Sequence, residues 1–181
     1  VSKGFTNNGK IIFNSISGYY GSLSVDSNLI INAASGEIWS TGLADPNYIY
    51  ASVNSSGLIT ADQGLIIQKT DTSINTGAIN IATGKYLKYS TGKLKFNGGT
   101  ASGPGKLVFE NCYYEENLSN MPNLLTEFNS STLASNAALL SNYGTLQFFA
   151  SNTITANVKN KRTGIIKFSH YKNFFKGKFN T

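Results

Sequence analysis

The sequence is short of most of the residues that build familiar sites. It has one cysteine, Cys112, one histidine, His170, and one methionine and one tryptophan in 181 residues. A single cysteine excludes an intramolecular disulfide and a multi-cysteine zinc site. Cys112 closely follows the apolar run Leu107-Val-Phe109, no nucleophile signature surrounds it, and His170 is distant in sequence, so it reads as a small buried thiol. Charged residues are only 13% of the chain, about half the usual share of a soluble domain. No apolar run approaches the roughly 18 residues of a membrane helix, and no segment has the layout of a secretory signal. The first residue is Val1 rather than methionine, which reads as the start of either a processed chain or an excised fragment.

Carboxylates are scarce, and none follows Glu127. A glycosidase needs two of them facing each other across a sugar. Asp62 and Asp71 follow related strands, and Glu110 with Glu115 and Glu116 is the only acidic cluster, but no spacing singles out a pair. Gly98-Gly99 stands without the Gly-Gly-x-Gly-x-Asp series of calcium-binding nonapeptides. Gly103-Pro-Gly105 lacks the Lys-Ser/Thr and the helix of a P-loop. The expectation is a non-enzymatic protein with no catalytic residue, no cofactor and no metal.

What the chain does have is Gly, Asn, Ser and Thr, the residues of turns, with 12% aromatics that argue against disorder. Between Gly57 and Phe109 a glycine repeatedly precedes a short apolar or alternating run, as in Gly64-Leu-Ile-Ile, Gly92-Lys-Leu-Lys-Phe and Gly105-Lys-Leu-Val-Phe. The register is nearly fixed: 21 residues from Gly36 to Gly57, 20 from Gly57 to Gly77, 20 from Gly64 to Gly84, 21 from Gly84 to Gly105 and 20 from Gly144 to Gly164. Such a period marks a stacked, quasi-one-dimensional fold. Leu94 with Phe96, Leu107 with Phe109, Leu146 with Phe148 and Ile166 with Phe168 each share one strand face, and Lys93 with Lys95 the opposite one. The predicted fold is all-β, a parallel β-helix (β-solenoid) with coils of about 20 residues. An antiparallel β-sandwich or jelly roll is the alternative, because short strands at this spacing fit it too.

Residues 1–181 read as one β-rich domain, with repeat coils over 9–111 and the last coils plus a basic aromatic tail over 144–181. Between them, over 117–143, the glycines vanish. Leu124, Leu125, Phe128, Leu133, Ala137 and Leu140 recur at helix-like steps behind Asn120 and Pro122. This predicts one short helical insertion or cap, replacing one coil, projecting from the coils or covering a sheet edge. Asparagines follow strands at Asn14, Asn32, Asn97 and Asn111, as corner residues, stacked or not, or as ordinary turn residues. The sequons at Asn54, Asn117 and Asn129 are expected by chance in so Asn- and Ser-rich a chain.

The net charge of +6 is uneven. Lys159, Lys161, Arg162, Lys167, Lys172, Lys176 and Lys178 fall in the last 23 residues, interleaved with Tyr171, Phe174, Phe175 and Phe179. Lys159, Lys161, Arg162, Lys172, Lys176, Lys178, Phe174 and Phe175 are the candidate contacts to an anionic surface or glycan, or to another subunit. The alternative is a last coil with aromatics packed inward and lysines solvated. Confinement of the charge to one end, and the lack of RNP, KH or zinc patterns, argue against nucleic acid. Trp39, Tyr48, Tyr50, Tyr86, Tyr89, Tyr113 and Tyr114 are candidates for sugar stacking or for core and corner packing.

Gly92-Lys-Leu-Lys-Phe-Asn-Gly-Gly99, Gly105-Lys-Leu-Val-Phe-Glu-Asn111, Gly144-Thr-Leu-Gln-Phe148 and Asn152-Thr-Ile-Thr-Ala-Asn157 resemble passenger repeats of bacterial autotransporters and filamentous-haemagglutinin-type β-helices, over residues 9–111 and 144–168. The basic charge departs from the acidic passengers, and no outer-membrane barrel follows, so on this resemblance the chain is a fragment or a free-standing relative. The resemblance implies a secreted or cell-surface protein that serves in adhesion or as a stalk, with self-association or host and surface glycans as partners. A filament or pilus-type subunit joined by strand exchange, through Lys10–Phe13 or the aromatic tail, is the second expectation. A glycan-binding or glycan-cleaving β-helix is the third.

Overall fold

The computed structural model describes residues 4–16, 18–69, 71–115, 119–134, 139–169 and 172–180. Among them the chain winds as a parallel β-solenoid, and every strand pair is parallel. After β1 (Phe5–Asn7) and β2 (Lys10–Ser15) come two coils of one long and one shorter strand, β3 (Ser22–Asn32) with β4 (Glu37–Gly42) and β5 (Asn47–Ser55) with β6 (Leu58–Ala61). Each later coil has three strands: β7 (Leu65–Gln68), β8 (Thr72–Asn75) and β9 (Ala78–Ile81), then β10 (Tyr86–Ser90), β11 (Lys93–Phe96) and β12 (Thr100–Ser102). Next are β13 (Lys106–Glu110), β14 (Tyr113–Glu115) and β15 (Ser119–Asn120), then β16 (Leu125–Asn129), β17 (Thr132–Leu133) and β18 (Leu139–Asn142). The last two coils are β19 (Thr145–Phe149), β20 (Thr153–Ile154) and β21 (Asn157–Asn160), then β22 (Ile165–Ser169), β23 (Phe174–Phe175) and β24 (Phe179–Asn180).

These strands stack into three faces. Face one runs from the first halves of β3 and β5 through β7, β10, β13, β16 and β19 to β22. Face two runs from β1 through the second halves of β3 and β5, then β8, β11, β14, β17 and β20 to β23. The long β3 and β5 bridge the two faces into one 15-stranded sheet, and face three is a separate 9-stranded sheet from β2 to β24. From β10 onward a residue with left-handed backbone turns the chain from face one to face two: Thr91 (φ 66), Asn111 (φ 52), Ser130 (φ 49), Ala150 (φ 64) and Lys172 (φ 37). That corner splits each later coil where β3 and β5 run through.

The interior is built from columns of aligned side chains. On face one Tyr89, Phe109, Phe128, Phe148 and Phe168 are register partners. Their rings stack at centroid separations of 6.1, 4.8, 5.5 and 5.3 Å. Such a buried phenylalanine contributes on the order of 3–5 kcal/mol, judged by its removal. Buried asparagines form ladders between coils: Asn7 Nδ2 donates to Asn32 Oδ1 at 2.8 Å, Asn120 Nδ2 to Asn142 Oδ1 at 2.7 Å, and Asn142 Nδ2 to Asn160 Oδ1 at 2.8 Å. Interior amides are tolerated where hydrogen bonds satisfy them in this way. Of the asparagines flagged in the sequence, Asn32 is in a ladder and Asn111 holds a left-handed corner, while Asn14 is an exposed residue of β2. The glycine register is steric. A Cβ on Gly57 would stand 2.1 Å from the Gly36 carbonyl oxygen, and one on Gly77 equally close to that of Gly57.

Two expectations are corrected. Parallel pairing throughout the described residues rules out the antiparallel sandwich. No helix occurs among the described residues of the predicted insertion: β15 completes the coil begun by β13 and β14, and β16, β17 and β18 form the next coil, before β19. Thr126 and Phe128 point inward in register with Leu107 and Phe109, and Asn120 is a ladder member rather than a helix cap. Neighbouring coils on both sides reward period-two burial, and this overrides the weaker three-to-five-residue spacing. Asn117 and Ala137 lie outside the described residues. Lys10–Phe13 belongs to β2 and pairs with β4 of the same solenoid. No helix among the described residues is long and apolar enough to cross a membrane.

Candidate binding surfaces

The eight expected contact residues gather on the last two coils. Lys159 lies in β21, in register with Asn180, and Lys161 and Arg162 occupy the turn into β22. The Lys161 ammonium stands 5.5 Å from the centre of the Tyr143 ring. Lys172 is the exposed corner residue, and Lys176 and Lys178 flank Gly177 between β23 and β24, both solvated. Phe174 is 59% exposed. Phe175 points inward, and its ring stacks on Phe179 at 3.9 Å. Phe168 is 53% exposed, although its column partner Phe148 is fully covered. Among the described residues the last coil therefore carries cations outside, with Phe168 and Phe179 half exposed. His170 and Tyr171 lie outside the described residues.

A second surface was not apparent in the sequence. The outward sides of β10, β13 and β16 form a groove of about 460 Å³ on face one. Val108 and Leu125 give it an apolar floor, Tyr86 stands at one side, and the turns at Lys85, Pro104 and Asn123 make its rim. Val108 is only 7% exposed although it points away from the core. Each lysine of the groove holds a carboxylate: Lys88 to Glu110 at 3.2 Å, Lys106 to Glu127 at 3.2 Å, and Lys85 to Asp45 at 3.6 Å. The Tyr86 hydroxyl is pushed up to about 12, chiefly by burial and then by the charge of Asp45, to which it is hydrogen-bonded. One signal could have revealed these pairs. Lys88 and Glu110 are 22 residues apart and Lys106 and Glu127 are 21, opposite charges one coil apart.

The remaining candidates separate. Tyr89 and Tyr114 are core residues, whereas Trp39, Tyr48, Tyr50 and Tyr113 are not fully buried. Trp39 Nε1 donates to Asp62 Oδ2 at 2.8 Å, and Lys10 stands 4.0 Å over its ring. The acidic cluster divides between faces: Glu110 lines the groove, Glu115 sits on face two, and Glu116 lies outside the described residues. Hydrogen bonding from Lys93 at 2.9 Å, with Lys95 at 3.4 Å, holds the Glu115 carboxyl below its ordinary range. Cys112 is buried at the corner between faces one and two, with its thiol donating to the Tyr89 carbonyl at 3.2 Å. Burial pushes that thiol up to about 12, which disfavours the thiolate a nucleophile needs. No protein-family model, no curated protein and no solved structure matches this chain.

Proposed function

We propose that this chain is a non-enzymatic structural and adhesive protein, secreted or displayed at the cell surface. The solenoid serves as a rigid body, and its C-terminal coils contact anionic glycans. The observation that carries this reading is the placement of Lys159, Lys161, Arg162, Lys172, Lys176 and Lys178 on the last two coils, with no carboxylate side chain after Glu127. Uncompensated positive charge on a rigid end attracts polyanions from a distance and loses that attraction in salt. The likeness of the repeats to adhesin and stalk passengers supports the same reading. The test is elution from immobilised heparin in a salt gradient, beside the Lys172→Glu/Lys176→Glu/Lys178→Glu variant. The intact chain is retained and the variant elutes at much lower salt. Equal elution of the two would sink the proposal.

Self-association is a second reading, favoured by the inner face of the last coil. Phe168 and Phe179 are half exposed there, and β22, β23 and β24 each have one strand neighbour among the described residues. Open parallel edges beside apolar side chains are templates for further strands. Negative-stain electron microscopy of the chain beside Phe168→Lys tests it. Rods longer than one solenoid in the intact chain only would favour end-to-end assembly, and short rods in both would dismiss it.

A further inference from the structure

The groove on face one is built on different coils from the basic end and has a different chemistry. Its side chains come from three adjacent strands in register: Tyr86 beside Lys106 beside Leu125, and Lys88 beside Val108 beside Glu127. Neighbouring parallel strands are about 4.8 Å apart, so these side chains form a fixed lattice that a ligand need not organise. Its volume of about 460 Å³ falls in the ~300–1,000 Å³ range of small-molecule sites.

The charges decide the ligand class. Lys85, Lys88 and Lys106 are matched one to one by Asp45, Glu110 and Glu127. An anion would have to displace a carboxylate already in place, and a cation would have to displace a lysine. A hydroxyl displaces neither. An ammonium has three donors and a carboxylate about four acceptor positions, so each pair keeps capacity for a group that both donates and accepts. Val108 lies between the Lys88–Glu110 and Lys106–Glu127 pairs, and Leu125 lies on the far side of the Lys106–Glu127 pair, so the two apolar side chains are bordered by donors and acceptors. A pyranose ring has the matching form, a C–H face with hydroxyls around its edge.

We propose that the groove binds a neutral oligosaccharide, with a ring face on Val108 and Leu125 and hydroxyls bridging the Lys88–Glu110 and Lys106–Glu127 pairs. This site is independent of the C-terminal coil and stands or falls apart from the anionic-glycan reading.

The probes are cellohexaose, maltohexaose and chitohexaose, with hexagalacturonate as the charged control. Each is titrated at millimolar concentration into the isotope-labelled full chain and followed by amide chemical shifts. At least one neutral hexasaccharide moves resonances of β10, β13 and β16. Binding persists from about 50 to 500 mM salt, where exposed charge contacts are screened. It survives in Lys172→Glu/Lys176→Glu/Lys178→Glu and weakens by about 10-fold or more in Val108→Arg or Leu125→Arg, a loss of at least ~1.4 kcal/mol. The shift map comes from the unaltered chain, so a variant that fails to fold does not remove the test. The proposal is overturned if no neutral probe binds, if only hexagalacturonate shifts these strands, or if the shifts fall on other coils.

Discussion

Ala150 holds a backbone conformation that L-residues adopt only at a cost of roughly 1–2 kcal/mol. Its φ of 64 turns the chain from β19 into β20. Thr91, Asn111, Ser130 and Lys172 hold left-handed φ at the equivalent corner of other coils, so the stack imposes the angle whatever the residue. Replacing Ala150 with glycine removes the steric cost but loosens the unfolded chain. The expected result is a net gain of about 0.5–1 kcal/mol, read as a higher urea midpoint at unchanged slope. Cys112 gives a pH-dependent prediction. Its folded pKa is raised by burial to about 12 from 9.0, so the folded state holds the proton more tightly than the unfolded chain. The associated stability is present below pH 9 and is lost as pH rises toward 12. Urea unfolding across that window should show the wild type losing stability faster than Cys112→Ser, because serine stays neutral. Parallel curves would refute the assignment. Asn111 was legible as a corner because asparagine tolerates this conformation. Thr91 and Ala150 were not, since nothing in their chemistry marks it.

At the scale of strands and ladders, Asn142 is the member whose loss is felt on both sides. It accepts from Asn120 and donates to Asn160 Oδ1 and to the Ile165 carbonyl at 3.0 Å, fully buried. Asn142→Leu would leave those acceptors without a donor, a cost of about 2–4 kcal/mol in urea unfolding. Asn14→Leu, at an exposed position of β2, should stay within about 0.5 kcal/mol. A similar cost at both positions would mean that the ladder contributes nothing of its own. The same contrast explains which elements could be read in advance. The coil length was visible because carbonyl oxygens of adjacent coils leave no room for a Cβ at Gly57 or Gly77. The coil containing β16 and β18 was misread because it has neither of those glycines, and only its neighbours fix Phe128 as an inward residue. The basic end was legible as a run of charge. The groove was not, because Lys88 meets Glu110 only after a full turn of the chain.

For the whole molecule, stability is a sum over coils and the contacts between neighbours. Interior coils have neighbours on both sides, whereas among the described residues β22 to β24 have one each. Phe128 is fully covered by its column and Phe168, three coils from Phe109 in the same column, is 53% exposed. Opening the last coil should therefore cost much less than opening the middle, and local opening is what amide exchange measures. In hydrogen exchange at low protein concentration, β22 to β24, like β1 and β2 with one neighbour each, exchange early, and β10, β13 and β16 last. Phe128→Ala, at a cost of about 3–5 kcal/mol, speeds exchange on both sides of the substitution because it weakens the central interfaces. Phe168→Ala speeds exchange only in the last coils. Protection of β22 to β24 that rises with protein concentration, to the level of β13, would show the open face covered by another molecule. Protection that stays low at every concentration would leave that coil free for a different partner, such as the polyanion proposed above.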